Sequence, residues 1–212
     1  MAISQGIFNP GSRFDERYIP DYERLAEFVQ ALKTIGLTVV LTSGSYDLIH
    51  EGHVGYLERA KECGDVLVVG VDSDEKIRAR KGPSRPVVGE NERLRMLTHQ
   101  RHPDIVTLKP IDGEKWALIK AVRPDVLVAT EDNYTADELE QLLDFCGKVE
   151  VLPRMAVTST TSRLRHLRLE LADKLTKRLN EKFPAIIEQL FNDELGQDGK
   201  ELPSTTDGAA RD

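Results

Sequence analysis

Two histidines stand three residues apart, His50 and His53, in the stretch GSYDLIHEGHVGYLERAKECGD (residues 44–65), where an apolar run gives way to helical spacing. Three kinds of chemistry compete for such a pair. A zinc pair on a helix wants i,i+4 spacing with a carboxylate between, as in HExxH. Here the spacing is i,i+3 and no third Cys or His lies in an obvious partner position, so no protein-held metal is expected. Plain surface histidines at a helix start are the ordinary alternative. The third reading is phosphate. Gly44 and Gly52 flank the pair, and glycine lets backbone approach a ligand closely. A helix N-terminus adds free N–H groups and a dipole that favours anions.

A second helix start of this kind follows the last apolar run, at TSTTS (158–162). Its hydroxyls serve either as simple N-caps or as phosphate ligands. Two phosphate-suited helix starts, both following strands of one sheet, favour the anion reading of the histidine pair.

Positioning these groups falls to an alternation of short apolar runs and helical segments. LTVVLT (37–42), DVLVVGV (65–71), DIVTL (104–108), DVLVA (125–129) and KVEVL (148–152) read as buried strands. Leu25, Phe28, Val29 and Leu32 fit an amphipathic helix begun by Asp21 and closed by Gly36. Val54, Leu57 and Ala60 mark the helix after the histidines, and Asp72 with Glu75 forms a capping box for a short one. Further helices fall near 92–101, 114–122 and 135–145. The pattern predicts an α/β fold, a five-stranded parallel sheet with helices on both faces. Ligands of such sheets sit at the carboxyl ends of the strands, where residues 44–53 lie.

The expected organisation is an N-terminal arm and helix (1–36), a core (37–162), C-terminal helices (163–195) and a disordered polar tail (196–212). Leu164, Leu167, Leu171, Leu175, Leu179 and Phe183 recur at helical spacing, and Pro184 stops that helix or starts another. This apolar stripe packs either on its own domain or against a second copy, so a homodimer is a possible partner.

Composition narrows the function classes. Charged residues make up 31% and the formal net charge is −7, which argues against general binding of nucleic acid or anionic membrane. Two segments, KIRARKGPSRP and RLRHLRLELADKLTKR, are nonetheless basic, either as solvated surface or as a phosphate-binding wall. No apolar run approaches the roughly 20 residues of a membrane span, and the amino end has no secretory pattern. Cys63 and Cys146, without CxxC spacing, suit a reducing compartment. The expected location is cytoplasmic.

GSYDLIHEGH resembles the GxFDxxHxGH signature of the cytidylyltransferase-like nucleotidyltransferases, with Tyr46 in place of the usual Phe. LPRMAVTSTT (152–161) resembles that family's second signature, RTEGISTT, at Arg154 and at Ser159, Thr160 and Thr161, and departs from it at 155–158. The resemblance covers about residues 37–164 and implies a Rossmann-like sheet. It also implies a reaction in which the phosphate of a small acceptor attacks the α-phosphorus of a nucleoside triphosphate and pyrophosphate leaves. Such an enzyme needs no covalent nucleophile; it must hold two anions together and stabilise the charge of the transition state.

By this resemblance His50 and His53 contact the triphosphate. Lys81, or its neighbour Arg80, bridges donor and acceptor phosphates. Gly44, Ser45, Tyr46 and Gly52 present backbone to the nucleotide, with Asp47 as a structural or binding acid. Ser159, Thr160 and Thr161 hold the outer phosphates, and Arg154 pairs with them or with the nucleotide. Arg93 and Arg101 match family arginines on one helix, and Lys109 is a further acceptor-binding candidate. Mg²⁺ is expected to arrive with the triphosphate, held by its oxygens. Where relatives carry Gly-Asp-Asp or Gly-Gly-Asp, ATEDNY (129–134) keeps Asp132 but lacks the glycine.

Two branches of the family fit. KGPSRPV (81–87) resembles the loop of bacterial heptose-1-phosphate adenylyltransferases, which implies ATP and a sugar phosphate, here without a fused sugar-kinase half. LPR…STT resembles the glycerol-3-phosphate and ethanolamine-phosphate cytidylyltransferases, which implies CTP and a phospho-alcohol. A nucleotide-binding sensor or assembly protein that has lost catalysis is the alternative from another class.

Overall fold

Five β-branched runs become the five strands of a single parallel sheet in the computed structural model, which describes residues 7, 9, 11–131, 133–153, 155 and 160–195, with backbone alone at 160–164, 194 and 195. The strands are β1 (Val39–Gly44), β2 (Val66–Asp72), β3 (Ile105–Lys109), β4 (Val126–Thr130) and β5 (Lys148–Leu152). Their spatial order is β3-β2-β1-β4-β5, so the order reverses beside β1. That reversal opens the crevice in which doubly wound sheets bind ligands.

Alternation along the strands divides the core in two. Val39, Leu41, Val66 and Val68 face α2 (Tyr22–Thr34), α6 (Ala117–Val122) and α7 (Ala136–Leu142) through Leu25, Leu118 and Leu142. Val40, Leu67, Val69 and Val71 face α3 (Glu51–Lys61) and α5 (Glu90–Thr98) through Leu57, Leu94 and Leu97. A β-strand turns successive side chains to opposite faces, so covering both faces requires apolar residues at every position of a central strand. The entirely buried β2 obeys this.

The amino edge of the sheet is held by aspartates that precede strands. Asp65, Asp104 and Asp125 accept N–H bonds from Thr38, Leu67 and Val39 at 2.7–2.8 Å, each on the neighbouring chain segment. They satisfy backbone donors where the ladder begins.

Several expectations change. Within the arm, α1 (Phe14–Arg17) forms, and Ile19 N–H bonds Val106 O at 3.0 Å beside a parallel bridge from Tyr18. The chain thereby covers the free edge of β3. These are long-range contacts, so no local periodicity announces them. The short helix α4 (Asp74–Lys81) is capped by Ser73, whose hydroxyl accepts from Lys76 N–H, and not by Asp72, which ends β2. The helix placed at 92–101 is α5, which closes at Thr98.

The chain divides into two compact units at 160/161. In the second, one helix, α8 (Thr160–Leu195), runs through Pro184 where a stop or restart was expected. Proline inside a helix removes one backbone bond and costs about 3 kcal/mol, which a helix of many turns can carry.

Candidate functional site

The loop from β1 to α3 is the centre of the site, and it is bent by local strain. Tyr46 and Leu48 adopt left-handed backbone, with φ of 49° and 52°. Such conformations are costly for residues other than glycine and gather at functional loops. The Tyr46 ring is buried, and a Cβ at position 44 would lie 3.3 Å from it, so the glycine admits the ring. Burial and the neighbouring Tyr56 push the Tyr46 phenol well above its ordinary pKa.

His50 is the N-cap of α3 and His53 stands in the helix's first turn, with Gly52 buried between them. The two imidazoles stack with ring centroids 4.0 Å apart. The His50 backbone N–H donates to His53 Nδ1 at 3.4 Å. A neutral ring that accepts at Nδ1 carries its proton on Nε2, which leaves Nε2–H as a donor. Burial, then His50 and Lys81, lower the His53 pKa to about 4, so the ring is neutral near pH 7.

Cations converge on this helix start from α4 and β3. Arg80 donates to Ser45 Oγ at 2.8 Å and to Asp72 Oδ2 at 2.9 Å, and Lys81 Nζ reaches Ser45 Oγ at 3.2 Å. Lys109 Nζ donates to Ser43 Oγ at 2.9 Å and lies 3.6 Å from Asp72 Oδ1. To get there its stem passes over Gly70, where a Cβ would come within 2.9 Å of Lys109 Cδ. Burial, then Arg80 and Arg85, push the Lys81 pKa down, with Asp47 and Asp72 opposing. Burial likewise lowers Lys109 against the pull of Asp72. A group of cations that depress one another gains when an anion arrives.

Asp47 is buried and holds the wall of the site. Its carboxylate accepts from Val87 N–H at 3.0 Å and Val88 N–H at 3.0 Å, and pairs with Arg85 at 2.9 Å. The loop between α4 and α5 is thereby pinned against the β1–α3 loop. Arg93, fully buried, does similar work. Its guanidinium donates to Val88 O at 2.9 Å, Ser45 O at 2.5 Å and Asp74 Oδ1 at 2.7 Å. All three of its nitrogens are thus engaged by the wall, whereas the resemblance suggested a substrate contact. Arg101 is not brought to the site. It is exposed, and it follows α5 on the way into β3, at the amino edge of a parallel sheet whose carboxyl edge carries the other groups.

Asp132, Arg154 and Ser159 lie outside the described residues. Thr160 and Thr161 open α8 with only their backbone described. The structure adds residues that the sequence reading passed over: Asp72 as the shared acid of Arg80 and Lys109, Arg85 as partner of Asp47, and Ser43. Tyr134 joins them, and burial pushes its phenol up to about 12, with Ser43 opposing. The last residue of a strand adjoining β1 was a usable signal for Asp72, since the strand ends of such sheets line the crevice. Beside this group lies a cavity of about 430 Å³ lined by Ser73, Asp74, Arg78, Glu90 and Asp112, among others. Among the described residues no three His, Cys, Asp or Glu side chains gather as a metal cage.

The sequence matches the Cytidylyltransferase-like family over residues 41–183, well over half of the chain. It is 40% identical over 146 residues to the bifunctional protein HldE of Methylobacillus flagellatus, a match that covers 66% of this chain and 29% of that one. The chain thus spans under a third of the length of that relative. Among solved structures, the lipopolysaccharide core biosynthesis protein from Thermoplasma volcanium is similar at 28% identity and a TM-score of 0.51, over 56% of this chain and 98% of that one. Pantoate-beta-alanine ligase from Francisella tularensis shares the fold at 14% identity, TM-score 0.52, over 76% of this chain and 78% of that one. A match that carries the paired histidines and the sheet that presents them places this chain in the cytidylyltransferase-like family of nucleotidyltransferases.

Proposed function

We propose that the chain transfers the adenylyl group of ATP, brought in with Mg²⁺, to a sugar phosphate and releases pyrophosphate. The observation that carries this reading is the neutral His53 at a helix N-terminus, facing cations that burial and one another destabilise. That combination suits a polyphosphate more than any single carboxylate or neutral ligand. A phosphate oxygen of the acceptor forms a bond to the α-phosphorus while the bond from that phosphorus to the bridging oxygen breaks, and the pyrophosphate departs with the electron pair.

His53 Nε2–H then donates to an α-phosphate oxygen without adding positive charge in the free site. Lys81, at the end of α4, sits within reach of both reacting phosphates, and Arg80 and Lys109 hold the acceptor phosphate beside Asp72. The α3 N-terminus contributes N–H groups aimed at the same charge. Preorganised donors of this kind lower the barrier because they need no rearrangement as charge develops. Mg²⁺ is carried on triphosphate oxygens as part of the substrate.

Two features favour a sugar phosphate. The loop KGPSRPV resembles that of heptose-1-phosphate adenylyltransferases, and the matches to HldE proteins and to a lipopolysaccharide core biosynthesis protein point the same way. The cavity beside Lys109 offers carboxylates as acceptors for sugar hydroxyls. The test is pyrophosphate release with ATP or CTP, Mg²⁺ and a panel of phosphorylated sugars and alcohols. Release with ATP and a sugar phosphate is expected. Turnover confined to CTP and a phospho-alcohol moves the chain to the other branch, and nucleotide binding without turnover supports a sensor.

A further inference from the structure

Helix α8 carries an apolar face, within an arc of about 120°, on which Leu171, Leu175, Leu179, Phe183 and Leu190 are each more than half exposed and Ile186 nearly so. Six such side chains at roughly 100 Å² apiece amount to some 600 Å² on one helix. Pairing two copies would bury on the order of 1,200 Å², the lower bound of stable protein interfaces. No helix of the described residues is apolar enough to cross a membrane.

Charge along α8 says what covers the stripe. Residues 165–178 hold five lysines and arginines against two acids, a net of three positive charges. Residues 179–193 hold three acids against one lysine, a net of two negative charges. The sign changes at 178/179. Two parallel copies would set like halves side by side, whereas antiparallel copies set each basic half on an acidic one. An anionic membrane surface would attract the first half and repel the second.

We infer that α8 is the dimerisation element of this protein and pairs antiparallel with α8 of a second copy, with Leu179 near the two-fold axis. In that register Lys177 of one helix runs alongside Glu181 of the other, and Arg165 alongside Asp193.

The experiment uses the full chain. Light scattering after size exclusion is expected to give twice the chain mass, and Leu175→Asp with Leu179→Asp is expected to give the single-chain mass with the thermal transition of the α/β unit unchanged. Direction is read by cysteine pairing, with Cys63 and Cys146 first replaced by serine. Leu179→Cys is expected to cross-link between copies on mild oxidation. Leu171→Cys is expected not to, because in this register its two copies lie roughly 24 Å apart along the helix, beyond disulfide reach. Cross-linking at both positions overturns the antiparallel arrangement. Single-chain mass for the unaltered protein at high concentration, or sedimentation of monomer with phosphatidylglycerol vesicles, overturns the dimer.

Discussion

Replacing Asp47 by alanine should unfasten the site from beneath. The Asp47 side chain is 1% exposed and its partner Arg85 is 10% exposed, so the pair is out of water. Alanine leaves the Arg85 guanidinium uncompensated, together with the Val87 and Val88 amides that Asp47 serves. Breaking a buried pair by removing one partner costs about 3–5 kcal/mol. For a chain of this size each kcal/mol lowers Tm by roughly 2–4 °C, so a fall of about 6–20 °C is expected. Arg85→Ala should also destabilise, and the double variant should lose less than the two single losses together. A coupling of at least about 1.5 kcal/mol is expected, because each single change strands a buried charge and the double change strands none. Hydrogen exchange at the Val87 and Val88 amides should accelerate in Asp47→Ala, since those protons lose their acceptor. Additive single effects, or a loss below about 1 kcal/mol, would refute the view that this ion pair fastens the α4–α5 loop to the histidine loop.

His53→Ala should lower kcat by on the order of 10²–10³ with little change in Tm, as for removal of a preorganised oxyanion donor; wild-type turnover would remove His53 from the mechanism. Its pH linkage has a definite sign. The folded pKa of about 4 lies below the ordinary 6.5, so the native state binds fewer protons in that window and stability falls as pH drops from about 6.5 to about 4. Allowing for partial solvent screening, the loss is about 2 kcal/mol, read as the difference between wild type and His53→Gln in urea titrations at each pH. Gly70→Ala should cost about 1–3 kcal/mol by crowding Leu118 and the Lys109 stem, and should raise KM for the phosphorylated acceptor more than that for nucleotide. Arg101→Ala should leave both KM values and kcat unchanged, whereas Arg80→Ala should weaken acceptor binding; equal effects would contradict the placement of Arg101 at the far edge of the sheet.

Much of this protein was already written in local pattern. Five β-branched runs separated by helical spacing determine a parallel sheet, because strands covered on both faces must be apolar throughout. The glycine-flanked pair at His50 and His53, just after the first strand, marks the place of the proposed anion site, because a helix start there exposes N–H groups at the carboxyl edge of the sheet. What tertiary structure decided is who partners whom. Lys109 reaches Ser43 across 66 residues of sequence and Val87 meets Asp47 across 40, by strand order and loop packing that no local spacing encodes. Arg93 and Arg101 look equivalent along the chain, yet one begins α5 at the carboxyl edge and the other follows its end at the amino edge. Direction along a helix is local, but the end of the sheet it serves is a property of the whole fold.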